Sequence, residues 1–144
     1  MSRTRLALLV LVGAAALGFA IERWIVTDAE AIERVLEDAA QDVVRGDDGA
    51  LTARIVEDYA ERGKDRAGLV AWARDLWRRS GARTMELDVG DTKVDGDRAA
   101  ARVVVRPGMP WAGARLGGRI DLRRTNDGWR IEGVAPDDAA YLPR

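Results

Sequence analysis

The sequence predicts an α+β domain, with three helices packed on a curved antiparallel sheet of about four strands. Apolar residues recur at helical spacing in the first half of residues 27–144. The period then changes to alternation, and Gly-containing turns separate the alternating runs. Helices followed by hairpin-linked strands are typical of a sheet with helices on one face.

The three helices are predicted from their caps and apolar faces. The first opens with the capping box Thr27-Asp28-Ala29-Glu30 and ends at Gly46. Asp47 or Asp48 caps a second helix. The third covers residues 66–80 and stops at Gly81. Their apolar faces are, in order, Ile32, Val35, Leu36, Ala39 and Val43; Leu51, Ile55, Val56 and Tyr59; and Leu69, Val70, Trp72, Ala73, Leu76 and Trp77.

Four strands follow, joined by turns and one loop. Residues 85–89 alternate, and Asp95-Gly96 forms a hairpin turn into a strand over residues 98–106. A third strand contains Leu116, Ile120 and Leu122, with a bulge expected at Gly117-Gly118. Asn126-Asp127-Gly128 then turns the chain into the last strand, residues 129–134.

The N-terminal segment, residues 1–26, is predicted to anchor the chain in a membrane through residues 6–26. Residues 6–21 are apolar and uncharged, and Arg3 and Arg5 precede them. A helix of this length reaches about 24 Å, and interfacial residues such as Trp24 extend it toward the ~30 Å hydrocarbon core. The arginines favour a cytoplasmic N-terminus and an extracytoplasmic domain over residues 27–144. A cleaved secretory signal and a buried cytosolic helix are the alternatives.

The composition excludes several classes of site. The chain has no histidine and no cysteine, so it has no imidazole base, thiolate nucleophile or disulfide. Asp47-Asp48 and Asp137-Asp138 lack the oxygen spacing of a calcium loop. We predict neither a cofactor nor a metal site. The net charge of −1 implies no nucleic-acid partner.

Three segments have the character of a helix junction (residues 43–51), the entry to a long central strand (residues 96–105) and a final strand (residues 127–131). Taken in this order, they resemble the NTF2-like (SnoaL-like) superfamily. The resemblance implies a cone of three helices against a curved sheet. It does not imply one function, because the superfamily contains enzymes as well as inert binding and assembly domains. Its enzymes often use His-Asp or Tyr-Asp pairs, and histidine is absent here.

Aromatic residues are the candidates for contact with a ligand inside such a cone. Tyr59, Trp72, Trp77 and Trp111 are the candidates to line an apolar pocket, although the helical spacing of Trp72 and Trp77 favours core packing for these two. The alternative is core packing, which is the usual role of large aromatic side chains at helical spacing. A cone filled by Trp72, Trp77 and Leu87 would count against ligand binding. We expect Trp129, at the start of the last strand, to be structural.

Acid–base chemistry would have to use Asp42, or Asp58 with Tyr59. A carboxylate beside a phenol in an apolar cavity moves a proton if burial raises its pKa toward neutrality. The alternative for Asp42 is a local ion pair with Arg45.

The outward face of the predicted sheet mixes both signs of charge. This pattern favours cross-strand ion pairs over an apolar dimer interface, so we expect a monomer or a weak homodimer. The residues concerned are Glu86, Asp88, Arg102, Arg106, Arg119, Asp121, Arg123, Arg130 and Glu132.

Three functions are consistent with the sequence. The first is a non-catalytic, membrane-tethered domain that binds a small apolar ligand or a partner protein outside the cytoplasm. The second is an assembly scaffold of an envelope complex, because one anchor joined to an NTF2-like domain resembles the inner-membrane component of type IV secretion. The third is a small isomerase- or hydrolase-like enzyme that uses Asp42, or Asp58 with Tyr59.

Overall fold

The computed structural model describes residues 10–12, 14–15, 27–108 and 115–137. Within these ranges, no helix is both long and apolar enough to cross a membrane. Most of the predicted anchor, residues 6–26, lies outside the described residues, as does Trp111.

The helices are α1 (Asp28–Arg45), α2 (Asp48–Ala53) and α3 (Arg66–Ser80). The capping box at the start of α1 is present: Glu30 N donates to Thr27 Oγ1 at 3.2 Å, and Thr27 N donates to Glu30 Oε2 at 3.1 Å. Gly46 ends α1 with a φ of 68°, which favours glycine because it has no Cβ.

The second helix is shorter than its apolar pattern predicts. It ends at Ala53, and the next residues run beside the last strand instead of continuing the helix. Val56 N donates to Ile131 O at 2.9 Å, and Ile131 N donates to Arg54 O at 2.8 Å. Ile55, Val56 and Tyr59 are buried, as the pattern requires, but outside a helix.

Four antiparallel strands form one sheet in the order β1 (Met85–Asp95), β2 (Arg98–Pro107), β3 (Leu116–Thr125) and β4 (Gly128–Pro136). The bulge predicted at Gly117-Gly118 is absent, because both glycines pair in regular register with Val104 and Val103. The register shifts instead between β3 and β4, where Asp121 pairs with Gly133 but Leu122 pairs with Ile131.

The sheet has two distinct ends. At the first, which we call the closed end, the β1–β2 and β3–β4 turns bring Asp95 opposite Arg98 and Thr125 opposite Gly128. At the second, the open end, lie Met85, Pro107, Leu116 and Pro136. Core side chains fill the cone near the closed end: Ile32, Leu122, Ala99 and Trp129 are all buried.

The outer face of the sheet carries the expected ion pairs. Arg106 pairs with Asp88 at 2.5 Å, and Arg98 pairs with Glu132 at 2.6 Å. Arg119 pairs with Asp121 on its own strand. These side chains are at least partly exposed, so each pair contributes little to stability, on the order of 1 kcal/mol or less.

Candidate functional site: an apolar cavity in the open half of the cone

A cavity of about 440 Å³ occupies the half of the cone that core side chains do not fill. Its walls are the C-terminal part of α1, the inner face of α3 and the open-end half of the sheet. This volume lies in the lower part of the range of small-molecule pockets. Its apolar lining includes Leu36, Ala39, Val43, Leu69, Trp72, Ala73, Leu76, Trp77, Met85, Leu87, Val103, Val105, Leu116, Ile120 and Val134.

Helix α3 supplies the aromatic part of the wall. Leu69 and Val70 are buried and hold the N-terminal half of the helix against the core. Trp72 and Trp77 are half-buried and line the cavity. With Leu87, which is also half-buried, they form part of the wall around an open space rather than filling it. Contact of either tryptophan with a ligand remains a prediction.

Alternation along β2 and β3 directs small and branched side chains toward the cavity. Val103 and Val105 on β2 pair with Gly118 and Leu116 on β3, and all four lie in the cavity wall. Gly118 lies close to the neighbouring backbone, since a Cβ there would be a tight 3.2 Å from the carbonyl oxygen of Ala135.

Most polar side chains of the cavity wall already have partners. The Ser80 hydroxyl donates to Trp77 O at 2.6 Å and accepts from Ala82 N. Asp137 pairs with Arg102, and Arg119 with Asp121. Arg115, at the open end, is exposed and is the one charged side chain of the wall without an ion-pair partner among the described residues.

Asp42 lies outside the cavity wall, in a separate cluster of charges. It is buried, and it accepts from Arg45 Nη2 at 2.8 Å and from Arg54 Nε at 2.6 Å. The local ion pair with Arg45 is therefore present. The stronger constraint is Arg54, which ties α1 to the segment after α2.

Asp58 and Tyr59 also lie outside the cavity wall and do not form a proton-transfer pair. Asp58 is exposed and bonded to Arg123, and the Arg123 guanidinium lowers the pKa of this carboxyl. Burial, with the adjacent Glu61 carboxylate, raises the pKa of Tyr59 to about 12. A carboxylate of lowered pKa and a phenol of raised pKa are both poorly suited to acid–base work near neutrality.

Glu61 is the residue that sequence reasoning missed. Its Oε2 accepts from the Tyr59 hydroxyl at 3.2 Å and from Val134 N at 2.9 Å. It thereby holds the buried phenol to β4, next to the register shift. No local pattern marks Glu61, because both partners are set by tertiary structure.

In residues 27–108 and 115–137, no group of three His, Cys, Asp or Glu side chains could hold a metal ion. The carboxylates around Asp42 and Asp58 are bound by arginines. The arrangement is better suited to enclosing an apolar molecule than to polarising a bond.

Comparison with known proteins identifies the fold. No family model and no curated protein matches the chain. Among solved structures, an NTF2-like protein with a cystatin-like fold from Novosphingobium aromaticivorans is 26% identical, with a TM-score of 0.54, over 91% of this chain and 94% of its own. An NTF2-like protein of unknown function from Shewanella baltica is 14% identical, with a TM-score of 0.57, over 74% and 90% of the two chains.

A third structure comes from Streptomyces avermitilis and is provisionally assigned as a dehydratase of the NTF2-like family. It is 17% identical, with a TM-score of 0.56, and the match covers 76% of this chain and 94% of the other. The described domain therefore has the NTF2-like fold: an α+β cone with a four-stranded antiparallel sheet. The superfamily resemblance in the sequence is supported at the level of the fold.

Proposed function

We propose that this domain binds a small apolar ligand in the cavity, as a non-catalytic, membrane-tethered domain outside the cytoplasm. One observation carries the proposal: a cavity of about 440 Å³ lies among apolar side chains, in a cone whose closed end is occupied by buried core residues. Protein interiors normally leave few voids larger than a water molecule. Retaining such a volume costs stability, and binding a ligand would offset that cost.

The non-catalytic part of the proposal is supported by where the reactive groups lie. The carboxylates considered for acid–base work, Asp42 and Asp58, are bonded to arginines away from the cavity wall. Within the described residues, no feature favours the scaffold or the enzyme hypothesis over ligand binding.

The tether rests on the apolar run at residues 6–21 and the arginines that precede it. It predicts that the full-length chain sediments with membranes and resists extraction by high salt. It also predicts that a phosphatase fused after residue 144 is active outside the cytoplasm. A soluble product, or an active cytoplasmic reporter at the same position, would contradict the tether without affecting ligand binding.

Two alanines of α3 provide a matched test of the cavity. Ala73 lines it, whereas Ala71 is exposed on the same helix. Ala73→Phe places a ring inside the cavity, so we expect it to weaken binding of the fluorescent probe anilinonaphthalene sulfonate about tenfold or more, or about 1.4 kcal/mol. The measurement is a fluorescence titration of the full-length chain.

The control is Ala71→Phe, which adds the same ring outside the cavity and should leave the affinity within about twofold of the original. Val105→Phe fills the cavity from the sheet and should reproduce the effect of Ala73→Phe. Circular dichroism verifies that each variant is folded. Equal affinity in folded Ala73→Phe, Ala71→Phe and unsubstituted chains would place the probe elsewhere and overturn the proposal.

A further inference from the structure

The start of α1 is fixed at the closed end of the sheet. Asp28 Oδ1 accepts from Arg124 Nη2 at 2.7 Å and from the Trp129 indole Nε1 at 3.3 Å. The Arg124 guanidinium also lies over the Trp129 ring, 4.8 Å from its centroid. Arg124 and Trp129 face each other across the β3–β4 hairpin, so the chain enters the domain beside this turn.

The cavity lies toward the opposite end. Its lining comes from the parts of the strands near Met85, Pro107, Leu116 and Pro136, and from the C-terminal half of α1. The closed-end residues Ala99, Leu122 and Trp129 are core residues and do not line it. Strand β3 has 10 residues between the two ends. At roughly 3.3 Å per residue, the open end lies about 30 Å from the point where the chain enters.

We infer that the cavity takes a compact, water-borne apolar molecule through the end of the cone that lies away from the membrane attachment, and not a lipid drawn from the bilayer. This inference rests on the proposed function, namely a tether before residue 27 and a ligand in the cavity. A lipid would have to leave the bilayer completely and cross about the length of a strand to reach the opening. The volume of about 440 Å³ suits one small molecule rather than a two-chain lipid.

An exposed cation in the cavity wall, at the open end of the sheet, adds a chemical preference. Arg115 lines the open end, and its guanidinium has no carboxylate partner among the described residues. A ligand with an apolar body and one acidic group would place the acidic group beside Arg115 while its apolar body contacts Trp72 and Trp77. Anilinonaphthalene sulfonate has this chemistry, and so it is the probe for the test.

The experiment blocks either end of the cone in the full-length chain, reconstituted in phosphatidylcholine liposomes. The chain contains no cysteine, so single substitutions direct biotin-maleimide to one site. Thr84→Cys carries the label on an exposed residue beside Met85 at the open end and leaves Arg115 in place. Asn126→Cys carries it on the exposed β3–β4 turn at the closed end. Streptavidin is added, and association of the probe is followed by fluorescence, with Ala73→Phe as the background.

We expect streptavidin to slow association about tenfold or more on the Thr84→Cys variant and less than about twofold on the Asn126→Cys variant. Slowing only on the Asn126→Cys variant, or no slowing on either, would overturn the route.

A second experiment uses brominated phosphatidylcholine in the liposomes. It should quench the tryptophan fluorescence of the unsubstituted chain and of Ala73→Phe equally. Stronger quenching in the unsubstituted chain would show lipid in the cavity and overturn the inference.

Failure of the proposed function has a different signature. In that case, the probe would show no binding above the Ala73→Phe background, whichever site is labelled. Saturable binding that is blocked only from the closed end would be consistent with the ligand site. It would contradict only the proposed route and ligand class.

Discussion

At the scale of single residues, burial separates a structural role from a chemical one. Asp42 is a buried carboxylate on an apolar helix face, yet its two oxygens accept hydrogen bonds from Arg45 and Arg54 and serve structure. A buried carboxylate that accepts two charge-assisted hydrogen bonds joins the two segments that donate them. The ion pair with Arg45 was visible from the spacing of the sequence, whereas the bond from Arg54 depends on how the chain turns after α2.

Replacing Asp42 by Asn should cost about 3 kcal/mol of unfolding free energy, because the Arg54 guanidinium loses its buried partner. Asp38→Asn is the control. Asp38 is half exposed and lies 3.6 Å from the same guanidinium, so its loss should cost less than about 1 kcal/mol. Urea unfolding measures both. Equal costs for the two variants would refute the assignment of Asp42 as the central acceptor.

Tyr59 gives the fold a specific response to alkaline pH. Its pKa is raised to about 12 from the ordinary 10.0, so the unfolded chain loses the phenol proton at lower pH than the folded chain. The stability contributed by the protonated phenol is complete below pH 10 and is lost as the pH rises toward 12.

Tyr59→Phe should flatten the fall in unfolding free energy over this interval. In a spectrophotometric titration it should also remove the later of two phenolate transitions, since the chain has two tyrosines. A variant that retains the late transition would show that Tyr59 is not the perturbed phenol.

At the scale of elements, the local signals of the sequence were accurate where local interactions decide the structure. Helix α3 begins at Arg66 and ends at Ser80, as predicted, because a side-chain cap and a left-handed glycine fix both ends. Helix α2 was predicted too long, since apolar residues at positions 51, 55 and 59 also suit an irregular segment packed on β4. The partner of that segment, Ile131, is remote in sequence.

The bulge was misplaced for a related reason. Paired glycines are a common local mark of a bulge, yet Gly117 and Gly118 are paired regularly here. Gly118 provides close approach to the backbone at Ala135 and Pro136. Beside the register shift between β3 and β4, Val134 N donates to the Glu61 carboxylate, a contact that the sequence does not reveal.

Two glycines near the α1–α2 junction should respond in opposite directions to alanine. Gly46 has a φ of 68° with open space around it, so Gly46→Ala should lose about 1 kcal/mol through backbone strain alone. Gly49 lies within α2 with its nearest neighbour at 3.7 Å, so Gly49→Ala should gain about 0.5 kcal/mol. Thermal or urea unfolding checks both signs. A loss at position 49 would contradict the helical assignment of α2.

At the scale of the whole molecule, the alternation of apolar residues predicts which face of each strand points inward, but not whether the space between the layers is filled. That space depends on the curvature of the sheet and on where α3 ends relative to it. Trp72, Trp77 and Leu87 were therefore compatible with either a packed core or a pocket. In the structure, the closed end is filled by Ile32 and Leu122, and the open end keeps its cavity.

The most direct test of the central claim is a crystal structure of the full-length chain with anilinonaphthalene sulfonate. We predict density for the aromatic body of the probe between α3 and the sheet, in contact with Trp72 and Trp77, with its sulfonate toward Arg115. A cone in which side chains close the cavity, or a probe bound elsewhere, would contradict the account.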